Sequence, residues 1–187
     1  MITIQKIKRA VNFLTEWWQR TSRIEKLYFG NNWLDCIEEC NKAIESKKAD
    51  FFVYYYLGLS QFHLNFIEES TENLKLALTT SATRKMNDSI QKYRNYAKYQ
   101  IAVNFRKSRR YDQAISQLDN SIQEDSSYLN FYHLKANIYE DLEETELAIE
   151  AVYNGLTVDP KNKELLELQK HLSYTYSLEQ SEKRNGG

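Results

Sequence analysis

The chain repeats itself every 34 residues, and that period limits its architecture more than any other feature. Ala114, in Tyr111-Asp112-Gln113-Ala114-Ile115, recurs as Ala148 in Thr145-Glu146-Leu147-Ala148-Ile149, and Ala102 and Phe105 recur as Ala136 and Tyr139. Upstream, Gly58 and Ser70 stand twelve apart, as Ala102 and Ala114 do, and Ile24 and Cys36 precede that pair by 34. This gives four repeats, 17–50, 51–84, 95–128 and 129–162, with residues 85–94 inserted between the second and third. A period of this length marks a stack of small supersecondary pieces, each covering an apolar face on its neighbour.

The pieces read as helix pairs. With 5 Gly and 1 Pro in 187 residues, the chain lacks the turn residues an all-β fold needs. Small residues at the eighth, twentieth and twenty-seventh positions of a repeat let two helices approach, and large residues fill the space beside them. Asp50, Asn32 and the Asn65-Phe66-Ile67-Glu68 run are expected to cap helix starts. Asp159-Pro160 is expected to open a terminal helix over about 161–180, with Leu165, Leu168, Leu172 and Tyr176 on one face and a frayed tail at 181–187. Met86, Ile90, Tyr93 and Ala97 carry helical spacing through the insertion, predicting one helix from about Met86 to Phe105. Ile4, Ile7, Val11, Leu14 and Trp18 form an N-terminal stripe. It reads as a helix covering repeat one, or as a coiled-coil seam through which two copies pair.

These units resemble the tetratricopeptide repeat (TPR) family. Repeat four carries the pattern as Tyr132, Ala136, Tyr139, Ala148, Val152, Gly155 and Pro160. Repeat three has Ile101, Ala102, Phe105, Ala114, Leu118 and Ser121 without the Pro, and repeat two has Tyr54, Leu57, Gly58, Ser70, Leu74 and Ala77 with Gln61 where an aromatic is usual. Repeat one is the most degenerate, keeping Leu27, Gly30, Trp33, Cys36, Cys40 and Ala43. The resemblance implies an all-α, right-handed TPR α-solenoid, with an N-terminal helix over 1–16 and a C-terminal capping helix over 163–180. It also implies that the first helix of each pair lines a concave face that holds a protein or peptide segment. On that basis the expected partner-binding residues are Trp18 and Tyr28 in repeat one, and Phe52, Tyr55, Leu59 and Phe62 in repeat two. Repeats three and four supply Tyr96, Tyr99, Arg106, Lys107, His133 and Asn137. The two-carboxylate clamp of some family members is missing, since Thr21, Glu25, Tyr56, Tyr96 and Gln100 occupy its positions.

Charge is segregated beneath a net −1. Residues 84–110 carry nine cations and one carboxylate, whereas 111–187 carry six cations and fifteen carboxylates. The basic band is interleaved with Tyr93, Tyr96, Tyr99 and Phe105, as a single-stranded nucleic-acid site would require. The acidic stretch directly after it argues against that reading and for solvated faces or an acidic protein contact. No phosphate-binding Gly loop, His-Glu-x-x-His or Cys-x-x-Cys occurs, and His63, His133 and His171 lack ligand spacing. The expectation is therefore an adaptor or scaffold, not an enzyme, with no cofactor and no metal. Cys36 and Cys40, one helical turn apart, read as small core residues. No secretory leader or membrane span is evident, so a cytoplasmic location is expected.

Overall fold

A computed structural model describes the backbone over 2–80 and 88–185, and the side chains over 15–80, Trp17 aside, and 90–184. Among these residues the chain forms nine α-helices and no strand. They fall into two compact units, residues 1–86 and 87–187.

The N-terminal unit contains α1 (Ile2–Phe29), α2 (Trp33–Glu45), α3 (Phe51–His63) and α4 (Ile67–Thr80). Each helix packs on the next, and α1 also meets α3. The small positions lie where the helices approach. Cys36 is fully buried and its Sγ donates to the Ile24 carbonyl at 3.7 Å. A Cβ added at Gly58 would stand 2.8 Å from Leu74 Cγ and 3.0 Å from the Ser70 carbonyl oxygen. Both cysteines are buried and unbridged.

The C-terminal unit contains α5 (Asp88–Lys107), α6 (Tyr111–Glu124), α7 (Asn130–Asp141), α8 (Thr145–Val158) and α9 (Lys163–Asn185). Successive helices again pack together, and α5 also meets α7. Ala102, Ala114, Ala136 and Ala148 are all fully buried, and Leu165 and Leu172 of α9 close the core formed with Ala151 and Val152 of α8.

The helix corners share one device. Asn31, Asn65, Arg109 and Glu143 adopt left-handed backbone, with φ between 55° and 66°. After each, the next residue's N–H bonds a carbonyl five residues back, as in Asn32 to Leu27, Phe66 to Gln61, Arg110 to Phe105 and Glu144 to Tyr139. This is the Schellman closure, made here without glycine. It recurs in the repeat register and satisfies carbonyls that the helix end would otherwise leave bare.

Several local expectations change. Asp50 caps α3 as expected, accepting from the Phe52 and Val53 N–H groups at 3.0 and 3.2 Å. Asn32 precedes α2 but makes no side-chain cap bond. Asn65 does not open a capping box, because its left-handed backbone ends α3. Asp159 does not cap α9. It accepts from the Lys161 N–H, and Asn162 caps the helix by accepting from the Leu165 N–H at 3.0 Å. No separate N-terminal helix over 1–16 exists, because α1 runs unbroken from Ile2 to Phe29 and no Gly or Pro lies inside it to end it sooner. Lys48, just beyond α2, pairs with Glu16 at 2.9 Å, so the earlier turns of α1 continue past its hairpin partner. The side chains of Ile4, Ile7, Val11 and Leu14 lie outside the described residues. The expected start of the inserted helix at Met86 does too, and α5 ends at Lys107, two residues beyond expectation. The tail expected to fray from 181 is helical through Asn185. Lys183 and Arg184 in the last turn favour that, being placed at the negative end of the helix dipole.

The register also explains how α9 can end the stack. Lys170 stands 34 residues after Ala136, at the position where a partner helix would demand a small side chain, and its side chain is 72% exposed.

Candidate functional site

In the N-terminal unit the ends of α1 and α3 and the start of α2 gather a cluster of rings. Tyr28 lies 5.2 Å from Trp33 and 5.3 Å from both Phe29 and Tyr56, centroid to centroid. Trp33 stacks on His63 at 4.0 Å and 9°, and the Tyr28 hydroxyl is 3.3 Å from His63 Nε2. Beneath them Tyr56 is 2% exposed, and its hydroxyl donates to Glu25 at 3.2 Å. Partial burial lowers the pKa of His63, favouring the neutral ring that stacks here. Phe52 stacks on Tyr56, and Phe62 lies edge-on to His63. The outermost ring, Phe29, is 69% exposed.

Thus Tyr28, Phe52 and Phe62, three of the expected binding residues, join one cluster through Tyr56 and His63. Trp18 is 66% exposed but makes no ring contact among the described residues. It borders a cavity of about 490 Å³ with Gln19, Arg23 and Lys26. Tyr55 and Leu59 are 5% and 3% exposed. They do not line an open surface as placed, since α3 is apolar on nearly every side and buries these two with the rest of its core face. Trp33 was not among the expected residues because it opens a second helix, whereas the family pattern points to first helices.

In the C-terminal unit the first-helix faces carry polar chemistry. Tyr96 and Tyr99 of α5 sit 6.0 Å apart, and burial raises the pKa of Tyr99. Arg106 forks onto Asp141 of α7, Nε to Oδ2 at 2.6 Å and Nη2 to Oδ1 at 2.9 Å. Lys107 is exposed beside it. His133 and Asn137 are half-buried one turn apart and in contact at 3.3 Å. Other cations of the basic band are engaged locally. Lys98 is 4% exposed and pairs with Glu124, and the Arg110 guanidinium lies 4.8 Å from the Phe105 ring centre.

α9 adds residues that sequence reasoning assigned only to a cap. Glu164, Glu167 and His171 follow Asn130, His133 and Asn137 by 34 residues, so extending the register one step would have found them. His171 Nε2 reaches Glu140 at 3.2 Å. Among the described residues no group of three or more His, Cys, Asp or Glu could hold a metal ion, and no helix is long and apolar enough to cross a membrane.

The Arg106 fork gives a pH test. Its hydrogen bond, then its charge, lowers the pKa of Asp141. A depressed carboxylate contributes stability that is present above its unfolded pKa, about 4, and is lost as pH falls through the folded value. Asp141→Asn should therefore lower the thermal midpoint at neutral pH, with the gap to wild type closing below about pH 4. An equal gap from neutral pH down to acid would show that the pair contributes nothing through charge.

No protein-family model and no curated protein matches the sequence. Solved structures do. YrrB, described as a TPR protein with an unusual peptide-binding site, matches with a TM-score of 0.65 at 16% identity, over 90% of this chain and 86% of that one. The C-terminal part of a TPR repeat-containing protein from Cytophaga hutchinsonii matches at 0.69 and 14%, over 84% of this chain and 58% of that one. A chain of the APC/C hetero-tetramer Cut9–Hcn1 matches at 0.61 and 19% over 75% of this chain, which spans only 27% of it. At these identities the likeness shows the fold: all-α, with the helix pairs of a tetratricopeptide solenoid.

Proposed function

We propose, from the tetratricopeptide fold this chain carries, that it is an adaptor holding a segment of another protein against the first helices of its repeats. The observation that carries this is the ring cluster of the N-terminal unit. Phe29 stands 69% exposed on a base of packed rings, with Phe62 half-buried nearby on α3. Rings held by other rings lose little rotamer freedom when a partner covers them, and such residues dominate binding energy at protein interfaces. YrrB, with the same fold, is described by its peptide-binding site, which supports the reading by analogy.

The test is a Phe29→Ala, Phe62→Ala double variant. Each anchor is worth about 2 kcal/mol when its partner pocket is well packed, roughly thirtyfold in affinity. A partner recovered by affinity capture on the wild-type chain should bind the variant at least about thirtyfold more weakly, with the helical circular dichroism signal retained. A partner that binds both proteins equally would refute the aromatic anchor.

A further inference from the structure

We propose that the groove between α7 and α9 receives a segment carrying an apolar side chain flanked by lysine or arginine. This rests on the adaptor reading and names the chemistry of what is held. The groove is an open depression of about 490 Å³ bordered by His133 on α7 and by Lys163, Glu164, Glu167, Leu168 and His171 on α9. A second cavity of about 450 Å³ begins on the other side of His171, over Leu172 and toward Glu140 and Glu179. Leu168 packs on the helix core, and Leu172 is fully buried within it. Leu168 thus gives the groove an apolar floor fixed in place before any partner arrives.

Taken together, the rims carry more carboxylates than cations. Glu140, Glu143, Glu164, Glu167, Glu179 and Glu182 border the two cavities, against Lys163 and Lys183. Few of these carboxylates are neutralised locally. Glu140 meets His171, and Glu167 pairs with Lys170 in an ion pair exposed on both sides, the kind that exchanges at little cost. Glu143, Glu164 and Glu182 make no ion pair among the described residues. An apolar floor under rims with an excess of carboxylates, three of them outside any ion pair among the described residues, fits a cationic, amphipathic segment and disfavours a phosphate backbone, because complementary potential steers one and like charge opposes the other. The residues also sit in the register of the first-helix face, with Glu167 and His171 one period after His133 and Asn137.

The experiment uses the full chain, isotope-labelled, and two synthetic peptides, Lys-Lys-Leu-Lys-Arg and Glu-Glu-Leu-Glu-Glu. The basic peptide should shift the amides of His133, Leu168 and His171, bind more weakly as sodium chloride is raised, and weaken again when its leucine becomes alanine. Glu164→Gln with Glu167→Gln should lower its affinity roughly threefold to tenfold. Equal binding of the acidic peptide would overturn the proposal. So would amide shifts spread over the whole acidic third that the double Gln variant leaves unchanged, since that is unspecific attraction. If neither peptide binds while the Phe29 and Phe62 variant still loses its partner, the charge assignment fails and the adaptor reading stands. If an oligouridylate on its own, without peptide, shifts the amides of His133, Leu168 and His171, the site is read wrongly and binds nucleic acid.

Discussion

Phe131→Ala is expected to cost the C-terminal unit about 3–5 kcal/mol, the range for truncating a fully buried Phe. The ring is 0% exposed, the face it shares with Leu134 and Ile138 is buried along its length, and Tyr128 holds it at 4.7 Å. α7 packs on both α6 and α8, so the hole opens between layers that cannot close without moving a helix against two neighbours. Part of the cost is the lost transfer of the ring from water, and the remainder is the unfilled space. Urea denaturation followed by circular dichroism should show a lower midpoint. Phe131→Leu, which restores most of the volume, should recover more than half of the loss. A midpoint unchanged by the alanine variant would mean that the face is not the core its burial indicates.

The period made most of the fold legible. Ala114 and Ala148 at an interval of 34 fix which helix faces touch, because only a small side chain survives there, and both are fully buried; α2 to α8 then follow as alternating first and second helices, with α9 after the last of them. What the period could not show is local. Asn32 and Asn65 have the chemistry of N-caps, but each stands just after a first helix, where the chain must turn through a left-handed residue. The Schellman closure claims the backbone at that point, and cap geometry at the following helix is lost. The continuity of α1 is legible in principle, since nothing between Leu14 and Trp18 breaks a helix, but a 34-residue period sets its boundary at residue 17 whether or not the helix continues through it. The site was less legible for a related reason. Family positions name first-helix residues regardless of how each is covered, so Tyr55 and Leu59 were expected at an open surface and are buried. The same positions omit Trp33, whose stacking on His63 depends on a corner between two hairpins and not on any one helix face. Glu164 and Glu167 are not named by the family positions because α9 reads as a cap, although it keeps the 34-residue register of Asn130 and His133.

Gly58→Val should destabilise the N-terminal unit by about 3 kcal/mol, at the upper end of what overpacking usually costs. The glycine is not there for a positive φ, since it lies inside α3 in helical backbone. It is there for distance. The nearest obstacle to a side chain is Leu74 Cγ, the branch point of a fully buried leucine and not a methyl that could swing aside, and the next is the Ser70 backbone carbonyl of α4. Relief therefore requires α3 and α4 to separate, and separation uncovers Leu57, Leu74 and Ala77 together. Helix propensity works the other way, because replacing glycine in a helix interior with alanine gains about 1 kcal/mol, so Gly58→Ala should be milder than valine by more than one methyl pair suggests. A double-mutant cycle isolates the clash. Leu74→Ala alone should cost about 3–5 kcal/mol as a cavity. Combined with Gly58→Val it should cost clearly less than the two losses added, because each substitution fills or vacates the same space. Strict additivity in thermal or urea denaturation would place the two residues out of contact and remove the physical reason for a small residue at this point of the repeat.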